Sequence, residues 1–196
     1  NFRLQKKNNF DIEKINNICK RHNLNQNISF YYKIFSNYSS VEKKKILEIG
    51  TYKGNFTNFL SKIFPNSEIC TLDIPHSISP DFKNLKAIDY EKTKSILDKN
   101  LSSKNIKKYI DTSFNLLEIF EKNYFDFIFV DGDHLNPQVT IDIFQSLYLL
   151  KTGGIMVTDD NLTNKNQITS SVNLESYETL KYLNKIGKIS LELFIK

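Results

Sequence analysis

The 196-residue chain has little cysteine, little arginine and no long apolar run. Its two cysteines, Cys19 and Cys70, stand far apart without Cys-x-x-Cys spacing, so they supply neither a disulfide framework nor a zinc site. No apolar stretch approaches the ~18 residues that a membrane helix needs, Phe127–Val130 being typical, and no signal-type apolar core stands near the start. A soluble, cytoplasmic protein without membrane contact is the expectation. Internal repeats and low-complexity linkers are absent, apart from a polar stretch over 161–173. With 40% hydrophobic and 25% charged residues, the chain can build one fully cored domain but hardly two. Asn1 and Lys196 look like cuts in a longer polypeptide, which leaves fusion to further domains, or a homo-oligomer, open.

The net charge of +5 would suggest a nucleic-acid partner if it were spread evenly. It is not. Residues 1–45 hold ten Lys/Arg against Asp11, Glu13 and Glu42, a net of +7; the remainder holds 17 basic and 19 acidic residues, a net of −2. The larger part of the chain is therefore no basic groove. Only Arg3 and Arg21 are arginine, and a lysine-rich solvated surface accounts for the N-terminal excess better than an anion site does.

Hydrophobic periodicity divides the chain in two. Ile12, Ile15, Ile18, Cys19 and His22, then Ile28, Tyr31, Tyr32 and Phe35, recur at helical spacing, so residues 1–44 form a helical appendage. From 45 to 196 short apolar runs alternate with helical patterns. The runs are Ile46–Ile49, Ile69–Ile74, Ile106–Ile110, Phe125–Val130, Ile155–Val157 and Ile189–Ile195. Between them lie apolar stripes such as Phe56/Phe59/Leu60/Ile63, Phe114/Leu117/Phe120 and Val139/Ile143/Leu147/Leu150, and a helix is expected over Tyr90–Leu101. This alternation specifies an α/β fold: a Rossmann-like, doubly wound, mostly parallel sheet with helices on both faces.

Such sheets bind ligands beyond the carboxyl ends of their strands. After the first strand comes Glu48-Ile-Gly50-Thr51-Tyr52-Lys-Gly54, a tight turn into a helix whose N-terminus offers free N–H groups. Asp73 ends the second strand 19 residues past Gly54, placed to accept ribose hydroxyls. A dinucleotide site wants G-x-G-x-x-G, which Tyr52 and Asn55 interrupt, so S-adenosylmethionine (SAM) fits better. Asp131-Gly132-Asp133-His134 ends one later strand and Asp159-Asp160-Asn161 the next. Four carboxylates brought to one edge repel unless protons or a cation compensate, and all-oxygen ligands favour Mg2+ or Mn2+ over zinc. His134 beside this cluster is a candidate general base, with Asp133 competing for the role.

These motifs, in order Ile46–Gly54, Leu72-Asp73, Asp111-Thr112-Ser113, Val130–His134 and Gly153–Asp160, resemble those of class I SAM-dependent methyltransferases. They are most similar to the metal-dependent O-methyltransferases of the macrocin or sugar-hydroxyl type and more distantly to catechol O-methyltransferase. The resemblance spans about 45–160. It implies that Glu48, Gly50 and Gly54, with Thr51 and Tyr52 between them, line the methionine end of SAM. It further implies that Asp73 holds the ribose, that Asp111, Thr112 and Ser113 border the adenine, and that Asp131 touches both cofactor and metal. Asp131, Asp159 and Asp160 would be the metal ligands, with Asp133 or His134 taking the proton. The chain departs from the pattern at Tyr52, where the wider motif has a glycine, and at Asp160, where the catechol enzymes have asparagine. The implied function is methyl transfer to a hydroxyl of a sugar-like or other small acceptor, not of a nucleic acid. The rival functions are a non-catalytic SAM-binding domain of a larger protein and a nucleic-acid methyltransferase using the basic helices.

Overall fold

A computed structural model describes residues 17, 19–21, 43–159 and 175–190. The described elements run β1 (Lys45–Ile49), α1 (Asn55–Ile63), β2 (Glu68–Asp73), α2 (Pro80–Lys83), α3 (Ala87–Asn100), β3 (Ile106–Ile110), a 3-10 turn (Ser113–Asn115), α4 (Leu116–Ile119), β4 (Phe125–Val130), α5 (Gln138–Leu149), β5 (Leu150–Thr158) and α6 (Glu175–Lys185).

The five strands pair in the order β3-β2-β1-β4-β5, every pair parallel. Chain order reverses between β1 and β4, so the ends of those two strands flank the crevice where such sheets take ligands. The central strands are buried on both faces because successive side chains point to opposite sides. Ile46, Ile69, Phe127 and Phe129 face one core, completed by Phe56, Phe59, Leu60 and Ile63 of α1. Leu47, Cys70, Ile128 and Val130 face the other, with Leu116, Phe120 and Leu149 against them. Val139 and Ile143 of α5 meet Leu180 and Leu183 of α6 in a third cluster.

Cys19, 2% exposed, joins the α1-side core, while Asn17, Lys20 and Arg21 beside it are exposed. The rest of the N-terminal pair, and the strand expected over 189–195 beyond residue 190, lie outside the described residues. Three expectations shift. The Phe114/Leu117/Phe120 stripe becomes a 3-10 turn and one short helix; Leu116 and Phe120 are buried, while Phe114 and Leu117 stay exposed. The helix expected from Tyr90 starts three residues earlier, at Ala87, and a short α2 precedes it. Leu150, assigned by its spacing to α5, instead begins β5, which starts five residues ahead of Ile155 through a bulge at Lys151–Gly154 that breaks the register between Phe125 and Phe127.

Candidate functional site

The β1–α1 turn is shaped by close backbone approach. Gly50 has φ +96°, and a Cβ there would stand 2.1 Å from the carbonyl oxygen of Asp131, which no side chain permits. The end of β1 thus lies directly on the end of β4, where the Asp131 N–H also donates to the Ile49 carbonyl at 2.9 Å. Tyr52 takes a left-handed φ of 46°, a conformation that favours glycine, and the Gly54 N–H closes the turn on the Thr51 carbonyl at 2.7 Å. Gly54, at φ +69°, then opens α1.

Asp73 organises this turn. Its Oδ2 accepts the N–H groups of Thr51 and Tyr52 at 3.1 and 2.8 Å, and its Oδ1 accepts that of Ile74 at 2.8 Å. Burial raises its carboxyl pKa, while these three N–H donors hold it down. A carboxylate offers about four acceptor positions, so the side chain expected to take both ribose hydroxyls has about one left for a ligand.

Glu48 lies below the turn and away from the crevice mouth. It is 1% exposed, and its Oε2 accepts the hydroxyls of Thr57 and, at 2.5 Å, of its cross-strand partner Thr71, which in turn shares a hydrogen bond with the Thr51 hydroxyl at 2.6 Å. Desolvation pushes its carboxyl up to about 8 against those two hydrogen bonds, with Asp131 and Asp73 adding repulsion. Glu48 is therefore mostly protonated at neutral pH. The two threonines that hold it escape a motif search, because a threonine in a strand or helix carries no signal of its own.

At the adenine side expected from the motifs, the Asp111 N–H donates to the Asp73 carbonyl at 3.0 Å, so the ends of β2 and β3 are tied together. Asp111 Oδ1 accepts the Thr112 N–H at 2.7 Å and Asn115 Nδ2 at 2.8 Å, and Ser113 is buried. On the other flank the Asp159 N–H donates to the Val130 carbonyl at 3.0 Å, which sets Asp159 beside Asp131 at the ends of neighbouring strands. Asp133 is exposed and accepts the Leu135 N–H at 2.9 Å; His134, next to it, is half-buried. Asp160, the third expected metal ligand, lies outside the described residues. Among the described residues no three His, Cys, Asp or Glu side chains form a group able to hold a metal ion. Of the expected set, Asp131 and Asp159 are described, and they follow the ends of neighbouring strands.

Asp142 was not singled out by its sequence, although it occupies the buried stripe of α5 with Val139, Ile143, Ser146 and Leu149. A carboxylate at core spacing is the signal that would have found it.

An all-parallel sheet with a glycine turn, an acid ending β2 and acids following β4 and β5 is the arrangement of an α/β domain that takes its ligand at the strand ends. A family model described as a methyltransferase domain matches residues 47–161, more than half of the chain, and the chain belongs to that family. In fold it is similar to a protein from Staphylococcus aureus assigned as a caffeoyl-CoA O-methyltransferase, at 18% identity over 91% of this chain and 82% of that one, with a TM-score of 0.56. It is similar also to one from Klebsiella pneumoniae assigned as an O-methyltransferase, at 16% identity over 93% and 79%, TM-score 0.55. A third is cofactor-bound Rv0187 from MTB, at 17% identity over 93% and 86%, TM-score 0.55. Other matched structures are longer, and the chain spans 66% of one and 42% of another. A search of curated proteins gives no match.

Proposed function

We propose that this domain transfers the methyl group of SAM to a hydroxyl oxygen of a small, sugar-like or otherwise hydroxylated acceptor. The observation that carries it is the contact of Gly50 on Asp131, which brings the glycine turn and the Asp131–His134 loop into one crevice at the point where strand order reverses. The donor set suits a cationic ligand with a ribose: Asp73 ends β2 and Asp131 follows β4, both close enough to Glu48 to raise its carboxyl, and Asp73 keeps an acceptor position. SAM, when bound, supplies an electrophilic methyl whose carbon–sulfur bonding pair returns to sulfur as the oxygen–carbon bond forms.

The chain's own residues do the rest. Asp73, oriented by the N–H groups of the turn, fixes the ribose side, and Asp111 to Ser113 close the adenine side. Asp133 or His134 takes the hydroxyl proton as the acceptor oxygen becomes an ether oxygen; general-base help of this kind is worth about 10²–10⁴-fold in rate. Asp133 is the more open of the two to an arriving acceptor. Divalent-metal dependence belongs to the same proposal, with Asp131, Asp159 and Asp160 as its ligands and Mg2+ or Mn2+ as the ion that all-oxygen donors favour.

The O-methyltransferase assignments of two fold relatives support oxygen as the acceptor atom. Calorimetric titration with S-adenosylhomocysteine (SAH), followed by labelled-methyl transfer to a panel of sugars and diols, tests the proposal. Saturable SAH binding and label in an ether product are expected. Label found only in amines, or none in any acceptor, would overturn the acceptor class.

A further inference from the structure

Asp142, 1% exposed, sits inside α5 where an apolar residue would pack without cost. Its surroundings show what holds a charge there. Gln138 Nε2 donates to Asp142 Oδ1 at 2.8 Å and, with its second proton, to Ser113 Oγ at 2.6 Å. The Ser113 hydroxyl hydrogen-bonds Asp142 in turn, so the three side chains close a triangle in which each N–H and O–H has an acceptor. The other carboxylate oxygen lies under the Asp131–His134 loop: a Cβ on Gly132 would come within 3.4 Å of Asp142 Oδ2. Burial raises the Asp142 carboxyl pKa, while Ser113 and Gln138 stabilise its charge and Asp133 opposes it.

One buried carboxylate therefore stands where three segments meet: the first turns of α5, the Ser113 turn after β3, and the loop after β4. A fully satisfied buried network of this kind fixes one arrangement of the segments it joins. We infer that Gln138 and Asp142 are positioning residues that lock the Ser113 turn and the Asp131–His134 loop to each other, so that the nucleoside side and the proton-accepting side of the crevice are set together. Neither residue touches ligand: Gln138 acts through Ser113 and Asp142, and Asp142 through Ser113 and its place beneath Gly132. The inference rests on the proposed methyl transfer for its consequence, but the mechanical link it asserts is a property of the chain by itself.

The test uses the full chain with Gln138→Ala, Asp142→Ala and Asp142→Asn. In hydrogen exchange without ligand, amides of 112–115 and of 131–135 should gain exchange together in both alanine variants, with the core strands β1 and β4 still protected. SAH affinity should fall about tenfold, as for loss of a hydrogen bond to a charged group. Asparagine at 142 keeps an acceptor for Gln138 and adds a donor for Ser113, and it should recover most of both effects. Exchange rising in only one of the two segments, or in neither, overturns the link. So does SAH binding unchanged in a folded alanine variant, and so does Asp142→Asn being no better than Asp142→Ala. Should the unaltered chain fail to bind SAH, the functional proposal falls while the exchange measurement still decides the coupling.

Discussion

Gly50 and Asp131 are in backbone contact: the α-hydrogen side of the glycine is filled by the aspartate's carbonyl, 2.1 Å from where a Cβ would be. Substituting Gly50→Ala must push β1 and β4 apart at their ends or twist the turn, at a positive φ that adds strain of its own. A loss on the order of 2–4 kcal/mol in denaturant unfolding is expected, together with loss of SAH binding. Wild-type stability in this variant would mean that the two loops are not held as described.

Asp73 ties the turn to β2 through three N–H groups. Asp73→Ala should leave those donors without an acceptor, costing on the order of 1–3 kcal/mol, and should weaken SAH more than tenfold. Asp73→Asn keeps one acceptor oxygen and should fall between. Equal SAH affinity in all three proteins, measured by calorimetry, would remove Asp73 from the site.

Glu48 makes stability depend on pH. Its folded carboxyl is raised from 4.5 to about 8, so the native state binds more protons than the unfolded one between those values. The stabilisation is fully present below about pH 4.5 and is lost as pH rises through about 8. Denaturation midpoints should therefore decline from pH 5.5 to 8.5 in the unaltered chain and decline less in Glu48→Gln, which cannot ionise. Parallel profiles for the two proteins would contradict a protonated Glu48.

Chelation separates the metal part of the proposal from the rest. Turnover is expected to fall on EDTA treatment and to return with Mg2+ or Mn2+, whereas SAH binding should change little, because Asp73 and Asp111 to Ser113, proposed for the ribose and adenine, are not among the proposed metal ligands. Full turnover after EDTA, or in Asp159→Ala, would reject a cation.

The strands of the sheet were legible because their composition and spacing leave few alternatives: Ile46–Ile49 and Phe125–Val130, despite Glu48 and Asp126, carry apolar side chains on both faces, which suits a covered parallel sheet. Glu48 shows where that legibility ends. Its place in a glycine motif suggests a ligand contact, but the side chain's partners are Thr57 and Thr71, 9 and 23 residues away, and only the packed fold reveals that it is buried and proton-bearing. Phe114 and Leu117 mislead in the opposite sense, since helical spacing counts apolar residues without knowing how short the helix is or which side the sheet takes. Asp142 was visible in principle as a charge on an apolar stripe, but its meaning comes from Gln138 and Ser113, brought together by tertiary contact alone.

The central claim is that the crevice between the ends of β1 and β4 binds SAM for transfer to a hydroxyl. Titration of the chain with SAH and, separately, with NADH tests it most directly, followed by one turnover assay with labelled SAM and hydroxylated acceptors. Saturable heat with SAH, none with NADH, and label in an O-methyl product are expected; binding of NADH without SAH would contradict a SAM site.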